Sequence, residues 1–304
     1  MNLPVDLKAP IRTNVSLQSY TTFKIGGPAR FFAEPRTREE LFRVLEFQKL
    51  EDLPLLVVGR GSNLLISDTG FSGLVLSLRK LEPDQFSVEA DGLLRTAGGM
   101  GLFQLALVSQ EHSLGGAEFV CHIPGTVGGA IVMNAGFGRR GQPYQEMKDI
   151  IESVTVIDPD SNGSVRTISR DEIHFEYRMT DLPKCLIILE ARFRLTPKPK
   201  KEIEAEIKAN FTYRNSVQDL RFPSAGSIFK NPKGSHLTSG QLLERVRMKK
   251  MRMGGAMVSE RHANFFLNVN HATAQDVLAL MTLGQKRVLE EFGVELEPEV
   301  KYIG

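Results

Sequence analysis

Residues 123–138 read IPGTVGGAIVMNAGFG and hold Gly125, Gly128, Gly129, Gly136 and Gly138, five of the 27 glycines in this 304-residue chain. At an ordinary usage of about 7%, sixteen residues would carry about one. Glycine lacks a Cβ and tolerates positive φ, so such a run lets main chain approach a ligand closely. Exposed main-chain N–H groups suit phosphate oxygens. The alternative is a loop that merely turns tightly between strands, and the stretch alone leaves both open.

Around it, three further turns carry glycine: Thr22–Pro28 (TFKIGGP), Gly59–Asn63 (GRGSN) and Ala97–Gly101 (AGGMG). Neither Gly59/Gly61 nor Gly99/Gly101 completes the dinucleotide fingerprint G-x-G-x-x-G, because Leu64 and Gln104 stand at the third glycine. No phosphate-loop G-x-x-x-x-G-K-[ST] occurs. Several glycine turns without a Rossmann pattern suggest one extended ligand such as a dinucleotide.

The chain is long enough for two or three domains. Hydrophobic content of 41%, charged content of 24% and a formal net charge of +2 are ordinary for a globular protein. Bulk charge therefore points to neither a nucleic-acid nor a membrane partner. The two cysteines, Cys121 and Cys185, give neither a disulfide framework nor a metal pattern. The first residues, MNLPVDLKAPIRTN, lack an apolar signal core, and no run reaches the roughly 18 apolar residues of a membrane span. A cytoplasmic protein is expected.

Apolar spacing predicts strand, helix, strand over residues 29–66: Arg30–Glu34, a helix opened by Thr37 with Glu40 at capping-box spacing, and Leu55–Val58. Strands dominate from Gly73 to Leu195. They include Leu74–Leu78, Phe86–Ala90 and Leu93–Ala97 around the hairpin signal Asp91-Gly92, and Val154–Ile157 and Val165–Ile168 around Pro159, Asn162 and Gly163. Leu102, Leu105, Ala106 and Val108 predict a helix. Alternation in Glu190–Leu195 predicts an antiparallel strand with one wet face. Thr196–Lys201 (TPKPKK) reads as a hinge, and helices follow it, the longest opened by Thr273 and Asp276. Phe265–Asn268 and the terminal VELEPEVKYIG read as strands.

In order along the chain stand TTFKIGGPARFF, VGRGSNLLIS, IPGTVGGAIVMNAG, FEYR, PSAGSIFKNP, GGAMVSERHANFFLN and LEPEV. Together they resemble the UDP-N-acetylenolpyruvoylglucosamine reductase (MurB) family from about Thr21 to the end. The resemblance implies an α+β architecture, with an FAD-binding fold of the vanillyl-alcohol-oxidase/PCMH type and an added α/β substrate-binding domain. It divides the chain into 1–72, completed by a strand near 299–304, then 73–198 and 199–298. The implied activity is NADPH-dependent reduction of UDP-N-acetylglucosamine enolpyruvate to UDP-N-acetylmuramate through non-covalent FAD, for peptidoglycan precursors. Hydride goes to C3 of the enolpyruvyl ether, and a proton to C2. No metal and no protein partner are implied.

Carried over position by position, the resemblance assigns Arg178 to the charge that develops on the intermediate, Ser227 to protonation of C2 and Glu299 to assistance as an acid. Glu297, two residues from Glu299, competes for that role if the segment is a strand. The cofactor positions implied are Gly59, Gly61, Ser62, Asn63, Gly98, Gly99, Pro124, Gly125, Thr126, Val127, Gly128, Gly129 and Asn134. Of these, Pro124–Gly129 is expected to cradle the flavin diphosphate and Asn134 to support the flavin. The substrate positions are Arg214, Gln218, Lys230 and Asn231, with Arg221 weaker. His262 reads as structural, Arg261 as a solvated side chain, and His122 receives no flavin role. The family's usual Ala-Tyr-Gly after the NAG turn is here Phe137-Gly138. The short path from FEYR to a strand near Cys185 marks the shorter, second subclass. Two other functions compete: another FAD-linked oxidase of the same fold, which leaves GSIFKNP and LEPEV unexplained, and a flavin or nucleotide-sugar binder without turnover, which would be free to lose Arg178, Ser227 or Glu299.

Overall fold

The computed structural model describes residues 10–139, 141–161 and 163–304. Asn162 of the expected turn and residues 1–9 of the N-terminal reading lie outside them. The chain divides into two compact units. The first takes the described part of Met1–Thr13 with Phe31–Arg60 and Gly73–Tyr213, and the second takes Asn14–Arg30, Gly61–Ser72 and Arg214–Gly304.

In the first unit a five-stranded antiparallel sheet runs in the order Ser164–Ser169, Ile151–Asp158, Ile187–Arg194, Leu93–Ala97, Phe86–Val88. The hairpin expected at Asp91-Gly92 forms with a three-residue connection, residues 90–92, closed by the Glu89 N–H on Leu93 O at 2.7 Å; Asp91 and Gly92 take positive φ, 58° and 75°. Ala191 and Phe193 point into the core while Arg194 stays exposed and binds Glu152 through Nε at 2.9 Å and Nη2 at 2.7 Å. Two helices pack against this sheet, and a third lies elsewhere. Helix α1 spans Arg38–Leu50, α2 Leu102–Glu111 and α3 Val127–Val132. Leu102, Leu105, Ala106 and Val108 of α2 pack with Val127, Ala130 and Ile131 of α3 against Val154, Ile188 and Phe193. Helix α1 opens on Thr37, whose Oγ1 accepts from the Glu40 N–H at 3.3 Å, and it buries Leu41, Val44, Leu45 and Phe47. These lie against a second sheet in which Leu55–Val58 runs parallel to Phe71–Ser77.

The hinge expected at Thr196–Lys201 is instead ordered. Thr196–Pro197 pairs with Leu114–Gly115, and the helix Lys200–Val217 (α4) starts inside the stretch. Prolines and lysines suit a linker by composition, but Lys198 is drawn down by Glu118 and Glu206, at 2.8 and 2.6 Å.

The second unit is built on two more helices, Ser239–Arg245 (α5) and Ala274–Phe292 (α6), and a three-stranded meander of Arg252–Met253, Ala256–Val258 and Phe266–Asn268. The terminal stretch is a strand only at Lys301–Ile303, which runs parallel to Leu64–Ile66. This pairing accounts for the presence of Gly61–Ser72 in the C-terminal unit. Phe229 and Phe266 meet edge to face at 6.2 Å in a core completed by Leu242, Leu243, Val277, Leu280 and Val288.

Helix α6 has the predicted capping box. Thr273 Oγ1 accepts from the Asp276 N–H at 3.0 Å, and Asp276 Oδ2 accepts from the Thr273 N–H at 3.0 Å and the Gly255 N–H at 3.1 Å. Burial alone would raise the Asp276 carboxyl, but these bonds outweigh it and hold it below its ordinary value. A depressed folded value contributes stability above the unfolded carboxyl range and loses it as pH falls through the folded one. Asp276→Ala is therefore expected to cost about 1 kcal/mol at neutral pH, with the difference from wild type closing below about pH 4. Paired thermal melts across pH check this.

Candidate active site

Inside the first unit the turns Ala97–Gly101 and Pro124–Gly129 meet, with Gly59 against them. Gly101 bridges Thr126, through the Leu102 N–H to Gly125 O at 3.1 Å and the Val127 N–H to Met100 O at 2.9 Å. The Gly128 N–H donates to Gly98 O at 2.8 Å, and a Cβ on Gly59 would lie 2.3 Å from Thr126 Oγ1. Several glycines are therefore demanded by backbone crowding. A Cβ on Gly98 would meet Ile188 O at 2.0 Å, and one on Gly99 would meet Leu78 O at 2.2 Å. Gly98→Ala is expected to destabilise the protein by at least the roughly 1–3 kcal/mol of an overpacked core, because a carbonyl of a central strand is not free to move aside. A thermal melt would show it.

The first turn of α3 is not the phosphate cradle that the glycine stretch suggested. Its N–H groups are spent within the protein: Val127 on Met100, Gly128 on Gly98, Gly129 on Thr126 Oγ1 at 3.3 Å, and Ala130 on Thr126 O at 2.9 Å. Other main-chain donors remain unspent. In the Gly101–Thr126 pair the two N–H groups turn away from each other. Among the described residues nothing accepts from them, nor from the N–H groups of buried Gly99 or, in the second unit, of Gly61 and Ser62. Buried main-chain donors are almost always paired. A set of unspent N–H groups on glycine turns fits an anionic diphosphate such as that of FAD.

Asn134 has a different task from direct support of a ligand. It is fully buried at φ 39°; its Nδ2 donates to Glu176 O at 3.0 Å, and its Oδ1 accepts from the Lys148 N–H at 3.1 Å. It ties the glycine stretch to the hairpin Phe175–Thr180, whose two-residue turn is Tyr177-Arg178. Arg178 itself has φ 61°, a left-handed conformation that costs a non-glycine residue about 1–2 kcal/mol. Its side chain is only 15% exposed, with Nη1 3.9 Å from Glu146 Oε1 and Cζ 4.8 Å from the Tyr177 ring centre. A solvated surface arginine, the bland alternative, is excluded by this burial.

Ser227 lies in the second unit, after Gly226 at φ 76°, a turn position that favours glycine for its conformation. Buried Asn264 clamps the next residues. Its Oδ1 accepts from the Phe229 N–H at 2.9 Å, its Nδ2 donates to Phe229 O at 2.8 Å, and its carbonyl accepts from the Ile228 N–H at 2.9 Å. The Ser227 backbone is thereby fixed, while its hydroxyl bonds to no described residue. A turn serine capping backbone would have spent it. The Glu299 N–H donates to Ile228 O at 2.8 Å, and Glu299 O accepts from Asn63 Nδ2 at 3.0 Å. Ser227, Glu299 and Asn63 are thus drawn together across 236 residues of sequence. Glu297 is 68% exposed and pairs with Lys230 Nζ at 2.5 Å, whereas Glu299 is half-buried. Asn231 Oδ1 accepts from the Ser239 N–H at 3.1 Å, at the start of α5.

Arg214 Nε donates to Gln218 Oε1 at 2.6 Å, so this pair forms one polar unit at the end of α4. Arg221 grips the fully buried Asp219 through Nε and Nη2 at 2.9 and 2.8 Å. Arg261 Nη1 donates to Asn215 O at 3.3 Å. His262 is partly buried: burial pushes its imidazole below the ordinary value, Lys249 adds to this, and Nδ1 accepts from the Asn264 N–H at 3.2 Å. His122 is buried edge-on against Phe137 at 3.9 Å.

Three residues were not singled out from the sequence: Tyr144, Glu146 and Asn264. Glu146 and Asp149 have capping spacing that a closer reading finds. Tyr144 has no local signal, because the Arg178 it faces lies 34 residues further along the chain.

Comparison with known proteins agrees with this geometry. A family model described as an FAD binding domain matches residues 29–169, and one described as UDP-N-acetylenolpyruvoylglucosamine reductase, C-terminal domain, matches residues 218–303. The UDP-N-acetylenolpyruvoylglucosamine reductase of Agathobacter rectalis is 42% identical over 300 residues, covering 95% of this chain and 92% of the relative. That of Pelobacter propionicus is 40% identical over 307 residues, covering 100% and 99%. The crystal structure of the Thermus caldophilus enzyme superposes with a TM-score of 0.79 at 33% identity, covering 97% of this chain and all of that one. With its α+β architecture, its FAD-binding domain and this likeness along nearly its whole length, the chain belongs to the UDP-N-acetylenolpyruvoylglucosamine reductase family.

Proposed function

We propose that the protein reduces UDP-N-acetylglucosamine enolpyruvate to UDP-N-acetylmuramate with NADPH, through non-covalent FAD, in cytoplasmic synthesis of peptidoglycan precursors. No helix among the described residues is long and apolar enough to cross a membrane. The observation that carries the reading is the Ser227 hydroxyl, held on a clamped backbone beside Glu299 and, among the described residues, spent on no other group.

Bound FAD supplies the hydride chemistry between NADPH and the substrate. The residues to hold it are those with unspent main-chain donors: Gly61, Ser62, Gly99, Gly101 and Thr126. Addition of hydride at C3 shifts negative charge toward the substrate carboxylate. The Arg178 guanidinium stabilises that charge, and a preorganised donor acts best in a water-poor site. Ser227 Oγ–H gives its proton to C2, so the double bond gains one hydride and one proton. Glu299 assists as a hydrogen-bonding acid. Lys230, Asn231, Arg214 and Gln218 bind the anionic nucleotide sugar.

NADPH oxidation, followed by absorbance with and without the enolpyruvyl nucleotide sugar, tests the reading. Sustained turnover is expected only with both present. Equal oxidation without the nucleotide sugar would point to a different flavin oxidoreductase.

A further inference from the structure

We propose that Tyr144 and Glu146 are positioning residues that hold the Arg178 guanidinium in its working orientation. The inference rests on the substrate-side role given to Arg178 above.

Arginine carries about 2 kcal/mol of side-chain rotamer entropy, so a buried, functional guanidinium needs fixed neighbours. Arg178 has them on several sides. The Tyr177 ring lies 4.8 Å from Cζ, and the Tyr144 ring 5.8 Å. The Arg178 guanidinium lies close enough to the Tyr144 phenol to oppose the rise that burial imposes on its pKa. Glu146 Oε1 stands 3.9 Å from Nη1, while Oε2 is engaged by Lys148 Nζ at 2.8 Å. The Glu146 side chain is 8% exposed, so its charge is poorly screened. At 3.9 Å it attracts the guanidinium without itself occupying a donor, which suits a cation that must hydrogen-bond a substrate carboxylate.

The two braces share one floor. The strand Gln145–Glu146 pairs with Gly136–Phe137, in the second half of the glycine stretch. A Cβ on Gly136 would lie 2.7 Å from Glu146 Cγ and 3.1 Å from Tyr144 Cε1, and one on Gly138 would lie 3.0 Å from Tyr144 Cα. Both braces can reach Arg178 because positions 136 and 138 have no side chain. Tyr144 as a whole is 48% exposed, yet burial of its hydroxyl end pushes the phenol up to about 12, with Arg178 pulling the other way. The hydroxyl therefore stays protonated as a neutral partner across the working pH range.

The test uses the FAD-loaded Tyr144→Phe and Glu146→Gln proteins, with the two half-reactions followed separately by stopped flow. Flavin reduction by NADPH and the melting temperature are expected to match wild type, while reoxidation by the enolpyruvyl nucleotide sugar slows about tenfold or more, as a displaced catalytic group would cause. In an Arg178→Lys background, Tyr144→Phe should add less than about twofold, because the two act as one unit. A second readout needs no turnover: the Arg178 Nε–H signal in ¹⁵N NMR should broaden in both variants. Unchanged reoxidation in both, or an unchanged Nε–H signal, overturns the inference. Equal slowing of both half-reactions with flavin loss also overturns it, since that marks a structural role. If wild type itself is not reoxidised by the nucleotide sugar, the proposed function fails, and the NMR arm still decides whether Tyr144 and Glu146 order the arginine.

Discussion

Ser227→Ala is expected to leave flavin reduction by NADPH within about twofold of wild type and to slow reoxidation by the enolpyruvyl nucleotide sugar by about 10²–10⁴, the usual contribution of a positioned general acid. The two halves respond differently because only the second needs a proton at C2. The backbone around Ser227 is held by Gly226 and Asn264, not by its hydroxyl, so removing Oγ leaves the fold intact. A serine hydroxyl is a weak acid in water. It serves here because C2 of an enolate is strongly basic and because no group among the described residues accepts its proton. Single-turnover reoxidation at the flavin absorbance maximum decides the matter, and an unaltered rate would remove Ser227 from the mechanism. Ser227→Cys, which restores a proton donor at the same place, should recover part of the loss.

Arg178→Ala is expected to slow the same half-reaction by about 10²–10³, the typical loss when one preorganised donor to a developing charge is removed. A companion variant separates this from folding. Arg178 sits at φ 61°, which disfavours alanine as it does arginine, whereas glycine adopts it readily. The left-handed penalty of about 1–2 kcal/mol is offset in part by the extra backbone entropy of glycine, about 0.5–1 kcal/mol. Arg178→Gly should therefore be roughly 0.5–1 kcal/mol more stable than Arg178→Ala, yet equally slow. Thermal melts beside stopped-flow traces on both variants check this. Equal stability would mean that the turn relaxes on substitution, and normal reoxidation in either would take Arg178 out of the chemistry. An arginine held at strain in a turn, with its side chain only 15% exposed and where glycine would be easier, is what a functional constraint leaves behind.

Much of this was legible before any coordinates. Period-two alternation marked Glu190–Leu195, because one face of that strand meets the core and the other meets water. Capping residues marked the starts of α1 and α6, because a helix end must satisfy its own N–H groups within a turn or two. Short motifs in order along the chain named the family, and with it Arg178, Ser227 and Glu299. Local chemistry of this kind is written in neighbouring residues, so a sequence displays it.

What required the tertiary structure was the allocation of each polar group. The glycine stretch 123–138 promised a phosphate cradle by composition. In the fold, the first-turn donors of α3 are consumed by Met100, Gly98 and Thr126, and in the same unit the donors that remain belong to Gly99, Gly101 and Thr126. Asn134 looked like a ligand contact and instead fastens Glu176 and Lys148. Of two glutamates two residues apart, Glu297 goes to solvent and Lys230, while Glu299 is drawn to Ile228 and Asn63. Each outcome depends on partners tens or hundreds of residues away. A hydrogen bond or a buried charge is decided by where the other half lies, and only the folded chain brings the two halves together.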